Sequence, residues 1–183
     1  MRIKWFSLIR ITGLLLVLLY HFFQTIFPGG FFGVDVFFTF SGFLITALLI
    51  EEFSKKHEID LIGFFRRRFY RIVPPVVLMV LVTMPFTFLV RQDYVAGIGG
   101  QIAGVLGFMT NFYELLTGGS YESQFIPHLF VHNWSLAVEV HYYILWGLAV
   151  WFLSKQSRSN GQLRGMVFLL SAAAFLISFF SMF

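Results

Sequence analysis

The sequence predicts an all-α bundle of transmembrane helices, for three reasons. Hydrophobic residues make up 58% of the 183-residue chain and charged residues only 12%, whereas a soluble domain carries about a quarter charged residues. The mean hydropathy is correspondingly high, at +0.80. The apolar residues also form runs long enough to cross a bilayer as helices. We therefore expect a multi-pass protein of the cell membrane, with the lipid bilayer and not a nucleic acid as its surroundings.

Five runs are long enough to span, namely residues 11–27, 31–50, 72–90, 134–153 and 165–183. The tight turn "PGG" joins the first two. The one long polar stretch, "EEFSKKHEIDLIGFFRRRFYR", separates the second run from the third. Its second half predicts a basic interfacial helix, after which the double proline of "IVPP" is expected to begin the third span. The chain shows no internal repeat or linker, which indicates one membrane unit.

Positive charge orients this bundle. Arg2, Lys4 and Arg10 precede the first span, and six lysines and arginines follow the second. Because cytoplasmic loops are rich in such residues, we expect the N-terminus in the cytoplasm and "PGG" outside. The third span then places Arg91 and Asp93 outside.

Segment 94–116 is apolar but rich in glycine, and two topologies are open for it. If it spans, Lys155, Arg158 and Arg164 lie outside, against the charge rule. If it is re-entrant or interfacial, these three residues return to the cytoplasm. We favour the second topology, which gives five spans.

Ionisable residues inside a bilayer cost free energy, so each one calls for a partner or a function. Arg10 and His21 share nearly one face of the first predicted helix, about 16 Å apart along its axis. Arg10 alone is also explained as a snorkelling anchor, and His21 is either packed or functional. Asp35 suits the positive end of the second helix, and Ser41 suits close packing of helices.

A second group of polar residues lies in "PHLFVHNWSLAVEVHYYILW". A helix that is continuous from His132 places Ser135 and Glu139 on the same face. A glutamate inside an apolar span is the most costly group of the chain. Either Glu139 pairs with an arginine of another span and only stabilises the bundle, or it is a proton acceptor or a ligand for a polar substrate.

The third group is the arginine-rich run "FFRRRFYRIVPP". Topology alone explains it, because arginines hold a loop at the cytoplasmic face. Guanidinium groups also bind phosphate oxygens in pairs, and Arg68 and Arg71 are three residues apart on one helix. The chain has no cysteine, which excludes disulfides and a cysteine acyl carrier, and no metal-ligand spacing is visible.

Together these stretches resemble the acyltransferase 3 family of integral membrane acyltransferases, which includes peptidoglycan and O-antigen O-acetyltransferases. The match is carried by Arg10 with His21, by "FFGVDVFFTFSGFLIT", by "FFRRRFYRIVPP" and by "HNWSLAVEVHYYILW", in the order of the family. Where the family often has Glu-Glu-Gln, this chain has Glu139, Val140 and His141. Only Glu139 therefore matches a residue of the family motif. Family domains have considerably more spans, so residues 1–183 are expected to be the N-terminal part of such a domain.

The resemblance implies transfer of an acyl group, usually acetyl, from cytoplasmic acetyl-CoA to a hydroxyl of an extracytoplasmic glycan such as peptidoglycan, without a metal. Its implied catalytic residues are His21, as general base or acyl carrier, and Glu139. Its implied donor-binding residues are Arg10, Arg68 and Arg71. Structural or substrate-positioning roles are implied for Asp35, Ser41, Trp134 and Ser135.

The implied partners are the glycan acceptor, the C-terminal half of the membrane domain and, in some relatives, an extracellular transfer domain. Two other functions are compatible with the residues. A proton-coupled transporter also places ionisable groups in the membrane, and an inverted repeat would indicate it. A non-catalytic fragment or subunit is the other alternative. Because polar faces in lipid require covering, we expect residues 1–183 alone to lack transferase activity.

Overall fold

A computed structural model of the protein describes residues 4–23, 25–89, 95–117 and 128–181, without the side chains of residues 4–7 and 10. Every regular element in these ranges is helical. The α-helices are α1 (Lys4–Phe22), α2 (Gly33–Lys56), α3 (Leu61–Thr83), α4 (Ile98–Leu106), α5 (Thr110–Thr117), α6 (Trp134–Gln156) and α7 (Asn160–Phe180). Short 3-10 helices occupy Pro28–Phe32, Met84–Leu89 and Val131–Asn133. The predicted all-α architecture is confirmed.

The length and apolar composition of these helices are those of a multi-pass membrane protein. Within the described ranges, four helical stretches are long and apolar enough to cross a bilayer: Pro28–Lys56, Leu61–Leu89, Val131–Gln156 and Asn160–Phe180. They correspond to the second to fifth predicted spans. In the first predicted span, the apolar part of α1 is the shorter stretch Ile11–Phe22.

The orientation with a cytoplasmic N-terminus stays a prediction. Arg2, Arg91 and Asp93, on which part of it rests, lie outside the residues that the structure describes. The expectations for Lys155, Arg158 and Arg164 depend on whether the segment before α6 crosses the membrane.

The chain forms two compact units, and the first contains residues 1–59 and 152–183. In this unit α1 and α2 approach closely through glycine. A methyl group on Gly33 would lie 2.6 Å from the carbonyl oxygen of Gly13, a distance that only the absence of a side chain allows. From Ser41 onward the buried residues of α2 recur every fourth position: Ser41, Ile45, Leu49 and Phe53. Asn160, at the start of α7, donates a 3.1 Å hydrogen bond to Ser54 of α2.

The second unit contains residues 60–151, and α3 is its longest complete helix. The Asp60 carboxylate caps α3 by accepting a 2.8 Å hydrogen bond from the Gly63 amide. The helix then continues through Pro74 and Pro75 to Thr83. The helix predicted over the second half of the polar stretch is therefore present, but it runs without a break into the third span, so the prediction that this span begins at the prolines is wrong. The two prolines remove amide donors from one turn only, and the apolar sequence beyond them continues the helix.

Segment 95–117 forms a helical hairpin of α4 and α5. Its turn is at Phe108, with φ 54°, and the Met109 amide donates a 2.7 Å hydrogen bond to the Gly104 carbonyl. The helices run antiparallel, because Tyr113 of α5 lies against Gly100 at the other end of α4. They have nine and eight residues, so each is about 13 Å long, less than half of a hydrocarbon core. This confirms that the segment does not cross as one helix; Tyr94 lies outside the described residues.

Helices α3 and α6 also run antiparallel, as three contacts along them indicate. Phe64, near the start of α3, packs against Gly147 in the second half of α6. Arg68 lies beside Tyr143. Near the other end of α3, Met79 Sδ is 4.0 Å from Asn133 Nδ2, just before α6. One buried hydrophobic cluster of this unit contains Val76, Val80, Val105 and Phe130.

Candidate functional site

A groove of about 550 Å³ lies between α3 and α6 in the second unit. Apolar side chains of both helices form most of its wall, and Phe108 at the turn of the α4–α5 hairpin closes one part of it. The polar side chains of its lining are Arg66, Arg68 and Tyr143. The groove is therefore almost wholly apolar, with two arginines among its lining residues.

Two aromatic rings hold Arg68 in this groove. Its Cζ atom lies 5.5 Å from the ring centroid of Phe64 and 5.5 Å from that of Tyr143. Phe64 precedes Arg68 by four residues on α3, so helical spacing brings those two together, whereas Tyr143 belongs to α6. Each cation–π contact at this distance is worth about 0.5–2 kcal/mol. Arg68 is thus positioned by both helices.

Tyr143 connects Arg68 to Glu139. The Tyr143 hydroxyl donates a hydrogen bond to Glu139 Oε1, one turn earlier on α6. Tyr143 is buried and Glu139 is half-buried. Arg68, Tyr143 and Glu139 therefore form one connected group, which we call the Arg68–Tyr143–Glu139 group.

Other predicted residues of the second unit lie outside this group. Arg71 is exposed and does not line the groove. The α-helix begins at Trp134, and His132 lies in the 3-10 turn Val131–Asn133 just before it, so the α-helix is not continuous from His132. Ser135 Oγ donates a 3.4 Å hydrogen bond to the His132 carbonyl, which ties this turn to α6.

The remaining predicted residues belong to the first unit. His21 is exposed near the end of α1, and its Nδ1 lies 2.8 Å from the Val17 carbonyl oxygen. Because a carbonyl only accepts, Nδ1 is the donor and, in the neutral ring, Nε2 carries the lone pair. Asp35 is exposed in the first turn of α2, and Ser41 lies in the buried stripe of that helix. The Arg10 side chain lies outside the described part of the chain.

Sequence reasoning missed Tyr143 as a connector and one further ionisable pair. Glu114 of α5 is only 6% exposed, and its Oε2 lies 2.8 Å from Nδ1 of His128. The signal was the single glutamate of an otherwise neutral helix, "TNFYELLT". Within the described ranges, no cluster of three or more His, Asp or Glu side chains is arranged to hold a metal ion.

Comparison with known proteins supplies the family. Residues 3–183 match the acyltransferase 3 model, described as an acyltransferase domain. The chain belongs to the acyltransferase 3 family. This confirms the resemblance that the four sequence stretches indicated.

Two relatives illustrate how far the likeness extends. The O-acetyltransferase OatA of Staphylococcus aureus (strain NCTC 8325 / PS 47) is 32% identical over 145 residues, which cover 79% of this chain and 24% of that protein. The putative O-acetyltransferase SACOL0978 of Staphylococcus aureus (strain COL) is 33% identical over 136 residues, which cover 74% of this chain and 22% of that protein. The chain thus spans less than a quarter of the length of these two relatives. No solved structure matches it.

In this acyltransferase 3 chain, two stretches that are distant in sequence meet in one unit. The arginine-rich run supplies Arg68, and the "HNWSLAVEVHYYILW" stretch supplies Glu139 and Tyr143. The first two stretches, with His21 and Asp35, belong to the other unit.

Proposed function

We propose that this acyltransferase 3 chain is part of an O-acetyltransferase that uses cytoplasmic acetyl-CoA and acylates a hydroxyl of an extracytoplasmic glycan such as peptidoglycan. In this reaction the acceptor oxygen forms an ester bond to the acetyl carbonyl, the carbon–sulfur bond breaks, and the hydroxyl proton leaves with the thiol of CoA. Family membership and the names of the two relatives support the reaction class. Family membership also argues against the transporter alternative.

The observation that carries the proposal is the apolar groove with Arg66 and Arg68 in its wall. Acyl-CoA has two chemically different ends, a charged nucleotide with phosphates and a long thioester arm. Guanidinium groups bind phosphate oxygens through charge-assisted hydrogen bonds, and an apolar groove suits the arm. Arg71, exposed one turn further along α3, adds positive charge for the same phosphates without lining the groove.

Glu139 has a positioning role in this proposal. It accepts the hydrogen bond that fixes the Tyr143 ring, and this ring is one of the two surfaces against which Arg68 lies. Glu139 itself does not line the groove. We therefore assign to Glu139 the positioning of the donor-binding arginine rather than direct proton transfer.

His21 supplies the chemistry near the acetyl group, in one of two ways. Its Nε2 lone pair takes the proton of the acceptor hydroxyl, or it accepts the acetyl group itself and passes it on. Both need the tautomer that the hydrogen bond to Val17 favours.

The test uses the full-length gene product in membrane vesicles that carry the glycan acceptor and are supplied with radiolabelled acetyl-CoA. Arg68→Ala is expected to raise the KM for acetyl-CoA about tenfold or more, because a charge-assisted contact is worth about 1.5–3 kcal/mol. Arg68→Lys is expected to restore part of the loss. Arg158→Ala, which removes an exposed cation between α6 and α7, serves as control and should leave KM unchanged.

Two outcomes oppose the proposal. If the wild-type protein transfers no label to glycan, the reaction is wrong. If Arg68→Ala and Arg158→Ala leave KM equally unchanged but alter membrane orientation, the arginines serve topology alone.

A further inference from the structure

The hydrogen-bonded pair of Glu114 and His128, here called the Glu114–His128 pair, takes no part in the donor site. The Glu114 side chain is 8% exposed and that of His128 is 19% exposed, with Oε2 and Nδ1 2.8 Å apart. Both residues lie in the second unit. A largely buried ionisable pair among apolar helices is costly, so it needs an explanation.

The pair lies closer to the start of α6 than the donor arginines do. His128 shortly precedes the start of α6, where Asn133 contacts Met79 of α3. Met79 is eleven residues beyond Arg68, which corresponds to about 16 Å along α3. If the arginines face the cytoplasm, as charge predicts, the Glu114–His128 pair lies towards the outer surface, the side on which the proposed acceptor resides.

Hydrogen bonds of Gln101, which is not ionisable, already join the α4–α5 hairpin to the segment before α6. Gln101 of α4 is 1% exposed; its Nε2 donates a 2.7 Å hydrogen bond to the Ala96 carbonyl. Its Oε1 accepts a 3.3 Å hydrogen bond from the Phe130 amide, two residues beyond His128. Holding the hairpin to the start of α6 therefore does not require a histidine and a glutamate.

The pair has the arrangement of an oriented base. Because the carboxylate only accepts, His128 donates from Nδ1, and in the neutral ring Nε2 holds the lone pair. The carboxylate fixes the orientation of the ring. Within the described residues, Nε2 makes no hydrogen bond.

Two buried polar atoms without a hydrogen-bond partner in the described part of the chain lie near the pair on α5. Thr110 is 2% exposed and one helical turn before Glu114 on the same face of α5. Neither its Oγ1 nor the neighbouring Asn111 Oδ1 has a hydrogen-bond partner in the part of the chain that the structure describes. Buried polar atoms without partners are rare, and a bound polar ligand or water is one way to satisfy them. The ligand class that fits is a hydroxyl compound such as a sugar.

We propose that the Glu114–His128 pair is the base for the acceptor hydroxyl, and this rests on the proposed transferase function. His128 Nε2 takes the proton of the sugar hydroxyl while its oxygen forms the ester bond to the acetyl carbonyl. The bond from that carbonyl to the leaving group breaks, and the proton then passes from His128 to the leaving group. This scheme uses His21 as the acetyl carrier, one of its two roles proposed above, so the leaving group is the His21 imidazole.

The test compares His128→Gln and Glu114→Gln with wild type in full-length protein, in the same vesicle assay. Both glutamines keep a hydrogen-bonding side chain at the pair but remove the base or its carboxylate. We expect the kcat for glycan acetylation to fall about 100-fold or more, which is the usual contribution of a general base. The KM for acetyl-CoA and the amount of protein in the membrane should stay within about threefold of wild type. Tyr113→Phe is the control, because it keeps the ring that lies 5.6 Å from His128 and removes only a hydroxyl.

The outcomes separate this inference from the proposed function. Wild-type protein that acetylates no glycan overturns both. Wild-type transfer with either glutamine variant retaining more than a third of kcat overturns the base assignment alone. The base assignment is also overturned if kcat falls only in proportion to the protein in the membrane, because the pair is then a structural tie. If the His128→Gln protein does not accumulate in the membrane, the kcat of Glu114→Gln decides whether the pair is a base.

Discussion

At the scale of single residues, Tyr143 determines how the donor site is built. Its hydroxyl binds Glu139 and its ring faces the Arg68 guanidinium, so one side chain has two separable interactions. The sequence located Arg68 and Glu139 as candidates because both are ionisable residues in or next to apolar helices. It did not show that they belong to one group, because this depends on how α3 and α6 are rotated about their axes.

The two interactions of Tyr143 are tested by two substitutions. Tyr143→Phe keeps the ring and removes the hydrogen bond to Glu139, whereas Tyr143→Leu removes both. We expect KM for acetyl-CoA to rise slightly in the first variant and by about 2–30-fold in the second, the range of a lost cation–π contact. Kinetics on full-length protein measure this. If the leucine variant has no higher KM than the phenylalanine variant, the ring does not position Arg68.

His21 is tested by trapping. Full-length protein incubated with radiolabelled acetyl-CoA, without glycan, is expected to acquire a hydroxylamine-sensitive label if His21 is an acyl carrier, and none if it is only a base. His21→Ala should abolish both label and transfer. His57→Asn is the control, because His57 is an exposed residue with φ 55°, a conformation that asparagine tolerates. Equal transfer by His21→Ala and wild type would remove His21 from the mechanism.

At the scale of helices, the sequence predicted where helices lie better than where they end. Apolar runs located α2, α3, α6 and α7, because burial and bilayer length both require such runs. The predicted start of the third span was wrong, because local rules place prolines at the start of a helix. In the structure Pro74 and Pro75 lie inside α3, and apolar residues continue the helix beyond them. The α4–α5 hairpin was foreseen as non-spanning from charge, but its turn at Phe108 depends on packing against α3 and α6.

The contact of α1 with α2 makes an element-scale prediction with a matched control. At Gly33 a methyl group would meet the Gly13 carbonyl oxygen and, at 2.8 Å, a methyl of Val17, whereas at Gly29 no atom lies within 4 Å. Gly33→Ala is therefore expected to destabilise the protein by about 1–3 kcal/mol, the usual cost of overpacking. Gly29→Ala should change little. Thermal unfolding in detergent measures both, and equal midpoints would show that α1 and α2 do not pack this closely.

At the scale of the whole molecule, charge and helix length predict how the chain crosses the membrane. The basic residues cluster around the start of α3 and the connection between α6 and α7. Since α4 and α5 are too short to span, a chain that enters the outer side after α3 returns through α6. Both basic clusters are then predicted to lie in the cytoplasm, as are the groove arginines.

The absence of cysteine from the 183 residues makes this topology directly testable, because each introduced cysteine is the single labelling site of this chain. Three exposed positions suffice, namely Gly29, Glu58 and Gln156. With a membrane-impermeant maleimide, Gly29→Cys should react only from the outside, and Glu58→Cys only from the cytoplasmic side. Gln156→Cys, at the end of α6, should behave as Glu58→Cys does. Labelling of Gln156→Cys from the outside would mean that the chain crosses once more between α3 and α6. The Glu114–His128 pair would then no longer be confined to the acceptor side.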